Sequence, residues 1–97
     1  MKRPCVYILA SQRNGTLYVG VTADIAHRVQ QHRDGQGAAF TRQYSVFRLV
    51  HVEFHATMLD AIQREKRIKE WRRAWKLDLI EHGNPEWHDL YGDLVGL

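Results

Sequence analysis

Arg28 and His32 lie four residues apart in a segment whose apolar residues are Ile25 and Val29. Reading i, i+3, i+4, i+7 from Ile25 collects Ile25, Arg28, Val29 and His32 on one helical face. A guanidinium and an imidazole therefore share the stripe that should meet the core. Arginine there is costly unless something anionic compensates it. Two compensations are open: a bridge to a carboxylate with His32 as a satisfied, partly buried histidine, or an anionic ligand. Glu65 repeats the anomaly, falling three residues from both Ile62 and Ile68 in a run where Met58, Ala61, Ile62 and Ile68 keep helical spacing. It is expected to point inward or toward a cleft, where it meets Arg28 or a hard cation held through oxygen; the plainer reading is an i,i+4 pair with Lys69. A single carboxylate suits one Mg²⁺, largely hydrated and sharing its coordination with a substrate phosphate.

Two tyrosines raise a related question. "CVYIL" (Cys5 to Leu9) and "TLYVG" (Thr16 to Gly20) flank a polar turn, and each carries one tyrosine. Strand propensity alone explains both, so Tyr7 and Tyr18 are either packing or aimed at a ligand. Asn14-Gly15 is a hairpin signal. A two-residue turn there would put the tyrosines on one face but roughly 13 Å out of step, whereas a loop centred on Gln12–Arg13 would set them directly opposite. Cooperation between them requires the longer loop.

The elements that must position these groups follow from the same pattern. Residues 5–10 and 16–21 read as strands. Thr22 caps a helix to about Arg33, with Asp24 in its first turn, and Gly35 and Gly37 end it. Residues 38–45 read as loop, and Val46–His55 as a third strand. Thr57 caps a helix through roughly Trp71, and another runs from Ala74 to His82, stopped by Gly83 ahead of Asn84-Pro85. The order β-β-α-β-α-α implies an α+β fold, a small three-stranded, mainly antiparallel sheet flanked by helices.

The chain of 97 residues implies one domain, 1–97, with one modest core. Hydrophobic content of 44% and charged content of 26% argue against disorder, and no apolar run approaches a membrane span. A single cysteine, Cys5, excludes an internal disulfide framework, reads as a small buried hydrophobe and fits the cytoplasm. Through Lys76 the chain carries all 14 Lys and Arg with six of the 11 acids, net +8; from Leu77 onward it carries five acids and no Lys or Arg, net −5. Half of the basic residues lie between Arg64 and Lys76, the footprint of a polyanion binder or of a solvated helix face. Trp71 and Trp75 within that stretch could stack nucleobases, but their i,i+4 spacing favours core packing. His51, Glu53 and His55 share a strand face; with no fourth ligand evident, a zinc site is not expected.

Taken together, Tyr7, Tyr18, Arg28, His32 and Glu65 resemble the functional set of the GIY-YIG nuclease superfamily. "VYI" at 6–8 stands for the first motif, "YVG" at 18–20 for the second, and "TADIAHRVQQH" for the family's first helix. Val6 replaces the motif glycine and Val19 an isoleucine, and neither change removes a reactive group. The resemblance covers nearly the whole chain and implies a small stand-alone member. It implies a phosphodiester hydrolase, an endonuclease acting on nucleic acid, DNA rather than RNA, with one Mg²⁺ or Mn²⁺ on Glu65. Arg28 would stabilise the scissile phosphate, Tyr7 would activate water, Tyr18 would orient it, and His32 would relay protons. Lys69, Arg72 and Arg42 would contact substrate, and Asn84 would serve a structural or substrate-positioning role. A second histidine known in some homing members has no counterpart in "GAAFTRQY", where Thr41 or Arg42 substitutes. The rival implication is a catalytically inactive nucleic-acid-binding module on the same fold; its marker, loss of Glu65, Arg28 or a motif tyrosine, is absent.

Overall fold

A computed structural model describes residues 2–96. β1 (Cys5–Ala10), β2 (Leu17–Thr22) and β3 (Arg48–Phe54) form one antiparallel sheet in the order β2-β1-β3. Every residue of β1 is buried, as its central place requires, because both its faces are covered. On one face Val6, Ile8 and Ala10 pack with Val19, Val50, Ala61, Ile68, Ile80 and Trp87. On the other, Cys5, Tyr7 and Leu9 pack with Ile25, Val29, Val46 and Leu49. The first layer is covered by α3 (Met58–Glu70) and α4 (Arg73–Gly83), the second by α1 (Ile25–Arg33), with α2 (Ala39–Tyr44) and α5 (Tyr91–Val95) completing the chain.

The β1–β2 register lies between the two hairpins weighed from sequence. Cys5 pairs with Thr22, Tyr7 with Gly20 and Leu9 with Tyr18. The connection is a four-residue turn: Gly15 N–H donates to Gln12 C=O (2.9 Å), Asn14 has φ +59°, and Ser11 N–H donates to Thr16 C=O (3.0 Å). Tyr7 and Tyr18 thus sit diagonally, two residues out of step, with ring centroids 6.3 Å apart.

Three local readings are corrected. The cap of α1 is Asp24, whose carboxylate accepts from His27 N–H (3.2 Å), while Thr22 Oγ1 accepts from Asp24 N–H (3.1 Å). Residues 38–45 are not loop but contain α2, which has no side-chain cap at Ala38 and ends on Ser45 at φ +55°. The chain also adds α5 beyond Pro85, after Trp87 is driven fully into the core with φ +57°. The element order is therefore β-β-α-α-β-α-α-α. Acidic residues of the C-terminal part do not neutralise the basic stretch: Asp89 pairs with Arg33 of α1, Glu86 with Arg13, and Glu81 accepts from the Trp87 indole.

Candidate active site

Tyr7 points from the middle of the central strand toward α1, and the room for its ring is made across the hairpin. Gly20 is its register partner, and a Cβ there would collide with the phenol ring. The phenol reaches His32 Nε2 at 3.0 Å, from the last turn of α1. His32 is 1% exposed, and Gly37 makes room for it, since a Cβ at that position would strike the imidazole. His32 Nδ1 meets Thr41 Oγ1 at 2.9 Å, and the Thr41 hydroxyl donates its single proton to Ala38 C=O at 2.8 Å.

One assignment of protons satisfies all three contacts together. Because the Thr41 hydroxyl hydrogen is committed to Ala38, its oxygen can only accept, so His32 carries its hydrogen on Nδ1. Burial, with the nearby Arg28 charge, lowers the His32 pKa from 6.5, so the imidazole is neutral near pH 7 and Nε2 is a bare acceptor. The Tyr7 hydroxyl must then donate to it. The chain runs Tyr7 O–H to His32 Nε2, His32 Nδ1–H to Thr41, Thr41 O–H to Ala38. Burial raises the Tyr7 pKa above its usual 10, with Tyr18 and Glu65 adding to the shift and Arg28 opposing it. The resting group is therefore a phenol, poised to hand its proton to His32 as it takes another.

Tyr18 completes the rim. Its ring stands 6.3 Å from Tyr7 and 5.3 Å edge-on from His32. Arg28 is half-buried, and its Nε is buried without a hydrogen-bond partner among the described residues. No carboxylate bridges it among the described residues, so the ion-pair reading of Arg28 is not realised there. Arg33 Nε is likewise buried and unpartnered, but its guanidinium already meets Asp89, whereas Arg28 meets no carboxylate among the described residues and is left open to an anion. Glu65 does not meet Arg28 either; it pairs with Lys69 at 3.0 Å across one helical turn, while its own side chain is only 12% exposed. Its charge is nonetheless felt at Tyr7, as is that of Arg28, so the phenol lies within Coulombic reach of both.

The remaining expected contacts scatter. Arg42 is exposed on α2 and donates weakly to Gly35 C=O (3.4 Å). Arg72 lies over the Trp75 ring at 4.8 Å. Asn84 is buried and fully engaged with backbone, donating to Val50 and His88 C=O and accepting from His88 N–H, so it locks the α4 exit against β3. Core packing holds for Trp71, which lies against the core, but not for Trp75, which is 48% exposed. His51, Glu53 and His55 do converge, but on each other: Glu53 Oε2 lies 2.8 Å from His51 Nε2, and its Oε1 lies 3.1 Å from His55 Nε2 and 2.7 Å from Arg64 Nε. Burial alone would push the Glu53 carboxyl up, yet the hydrogen bonds from His51, Arg64 and His55 outweigh it and hold it at about 2. The two groups that sequence reasoning underweighted are Thr41, named only as a substitute, and the aromatic pair Phe40 and Tyr44 on α2, whose rings lie 4.9 Å apart.

Two tyrosines of the sheet and, from α1, a buried histidine and an arginine without a partner among the described residues thus gather on one side of the fold. The GIY-YIG catalytic domain family matches residues 3–78, and the chain belongs to that family. Its membership implies nuclease activity and a nucleic-acid substrate. The curated relatives are small proteins of the same type: a UPF0213 protein of Oceanobacillus iheyensis is 41% identical over 81 residues, covering 84% of this chain and 93% of its own. A UPF0213 protein of Syntrophus aciditrophicus is 40% identical over 87 residues, covering 89% and 98%. The solution NMR structure of a Bacillus halodurans UPF0213 protein superimposes with a TM-score of 0.56 at 29% identity, over 93% of this chain and 95% of that one.

Proposed function

We propose that this chain is a metal-dependent endonuclease that hydrolyses phosphodiester bonds in DNA with one divalent ion. The observation that carries this reading is the one-way hydrogen-bond chain from Tyr7 through His32 to Thr41, together with Arg28, whose charge is felt at both Tyr7 and His32 and whose buried Nε has no partner among the described residues. As the oxygen of a water aligned against the phosphorus bonds to it and the opposite P–O ester bond breaks, the water gives a proton to the Tyr7 oxygen, the Tyr7 proton passes to His32 Nε2, and the leaving oxygen takes a proton from solvent. The imidazolium so formed already has its Nδ1–H held by Thr41. Arg28 takes the phosphoryl oxygens, where negative charge grows in the transition state, and its buried Nε finds there the acceptor the protein does not provide. Tyr18 walls the nucleophile's approach.

Glu65 fits Mg²⁺ or Mn²⁺ as a lone hard-oxygen ligand. It is nearly buried, its one partner among the described residues is Lys69, and no group of three or more ligating side chains forms a cage among them. That donor set suits an ion that keeps several waters and shares a substrate phosphate oxygen. When bound, such an ion supplies Lewis-acid stabilisation of the phosphoryl charge.

Cleavage of labelled single-stranded, duplex and branched DNA, and of RNA, with Mg²⁺, Mn²⁺ or EDTA tests the proposal. Cutting is expected with metal, and is lost in EDTA and in Glu65→Ala; Tyr7→Phe is expected to slow it by about 10²–10⁴-fold. Salt-sensitive binding without cutting on every substrate would instead mark a binding module.

A further inference from the structure

α2 is the least anticipated element of the fold, and its side chains divide sharply. Thr41 is fully buried and bonded to His32, whereas Phe40 and Tyr44 are 42% and 49% exposed. The latter two are four residues apart and so share one face of the helix. Their rings are 4.9 Å apart, and Phe40 in turn stacks toward Tyr18 at 6.3 Å with an interplanar angle of 30°. Tyr18, Phe40 and Tyr44 thus form a continuous row of rings that begins at the catalytic rim and runs out into solvent. Arg42, between them in sequence, is exposed and spends one weak hydrogen bond on Gly35 C=O.

Phe40 and Tyr44 keep nearly half of their surface in solvent even after packing on each other and toward Tyr18, and they rest on a helix whose buried side-chain anchor is Thr41 on His32. Their position is therefore tied to the reacting centre, as a binding element for the substrate requires. A nucleic acid whose scissile phosphate lies at Arg28 must send its neighbouring nucleotides past this row. Paired, stacked bases offer it only sugar and phosphate; unpaired bases offer π-faces that match phenyl and phenol rings.

Resting on the nuclease reading above, we propose that Phe40 and Tyr44 form a stacking platform for unpaired nucleobases flanking the scissile phosphate. Arg42 meets the phosphate between them. The platform selects an unpaired strand over a continuous duplex, and it does so through base faces without reading base identity.

The test is binding in EDTA, by fluorescence anisotropy, of a labelled oligothymidylate, the same oligomer with central abasic sites, and a duplex of equal length. Wild type, Phe40→Ala, Tyr44→Ala and Phe40→Trp are compared, with thermal melting of each variant reported alongside. Each alanine variant is expected to weaken binding to the intact single strand by roughly 5- to 150-fold, the range of base–aromatic stacking. Binding of the abasic strand and of the duplex should move little, and Phe40→Trp should retain wild-type affinity. Equal losses on all three ligands, or no loss on the single strand, would overturn the platform. Cleavage of the same DNAs with Mg²⁺ separates this failure from that of the underlying reading. Metal-dependent cutting that Phe40→Ala and Tyr44→Ala leave unchanged on a single strand refutes the platform alone. Selective loss of single-strand binding in a protein that cuts nothing upholds the platform and refutes the nuclease.

Discussion

Two polar clusters lie on this small sheet, and they are built on opposite plans. At β3, Glu53 accepts from His51, His55 and Arg64, and its charge is fully answered within the protein. On the α1 side, the chain from Tyr7 to Thr41 runs in one direction, and among the described residues Arg28 Nε has no partner and Glu65 leans on a single half-exposed lysine. Both clusters contain histidine, arginine and a carboxylate, so composition does not tell them apart. What separates them is closure. A cluster whose donors and acceptors cancel is a brace, and one left open is a candidate site.

The contrast can be broken most severely at the open cluster. Arg28→Ala removes the guanidinium proposed to hold the phosphoryl oxygens and is expected to cost about 10²–10³-fold in kcat, with little loss of stability, because no partner among the described residues is orphaned. Single-turnover cleavage and a melting curve on one preparation check both halves.

A smaller effect is expected one shell out. Thr41→Val deletes the acceptor that keeps the His32 hydrogen on Nδ1, allowing the imidazole to present a hydrogen, not a lone pair, to Tyr7. Loss of an orienting partner of this kind costs roughly 10- to 100-fold in activity. Thr41→Ser keeps the hydroxyl and should restore most of the rate, which a purely structural role for the side chain would not predict.

The closed cluster should answer with stability and not with rate. Glu53 is held at about 2 against an ordinary 4.5. Its stabilisation is therefore complete above pH 4.5 and is lost as pH falls from 4.5 toward 2, amounting to roughly 2–3 kcal/mol for this mostly shielded side chain. Glu53→Gln is expected to lower stability by about that amount at pH 7, to flatten the acid-unfolding limb, and to leave kcat unchanged. Denaturant titration at pH 7 and pH 3 with a parallel cleavage assay distinguishes these outcomes.

Sequence carried the parts of this architecture that depend on local pattern. Arg28, His32 and Glu65 were visible because each violates a 3.6-residue apolar stripe, and such violations are where site and core compete for one helix face. The hairpin was visible, but its register was not: Asn14-Gly15 suits a two-residue turn, whereas Ser11 and Thr16 close a four-residue one through the Ser11 side chain and backbone. α2 was hidden because Ala38 offers no capping side chain and the helix is held by tertiary contacts, chiefly the buried bond of Thr41 to His32. α5 was hidden for a similar reason, since the turn before it depends on burying Trp87 in a left-handed backbone conformation that no local propensity suggests. Trp75 misled in the other direction, keeping a core-like spacing from Trp71 while lying on the surface beside Arg72.

The measurement that bears most directly on the open site is the pH dependence of DNA cleavage by the wild-type protein at saturating Mg²⁺. If neutral His32 receives the Tyr7 proton, the rate holds through neutrality and falls on an acid limb below pH 6.5, where burial and Arg28 have moved the imidazole. A rate that shows no such limb and instead climbs toward the alkaline range of a phenol would mean that an ionised Tyr7 acts alone, and the proton chain through His32 to Thr41 would be wrong.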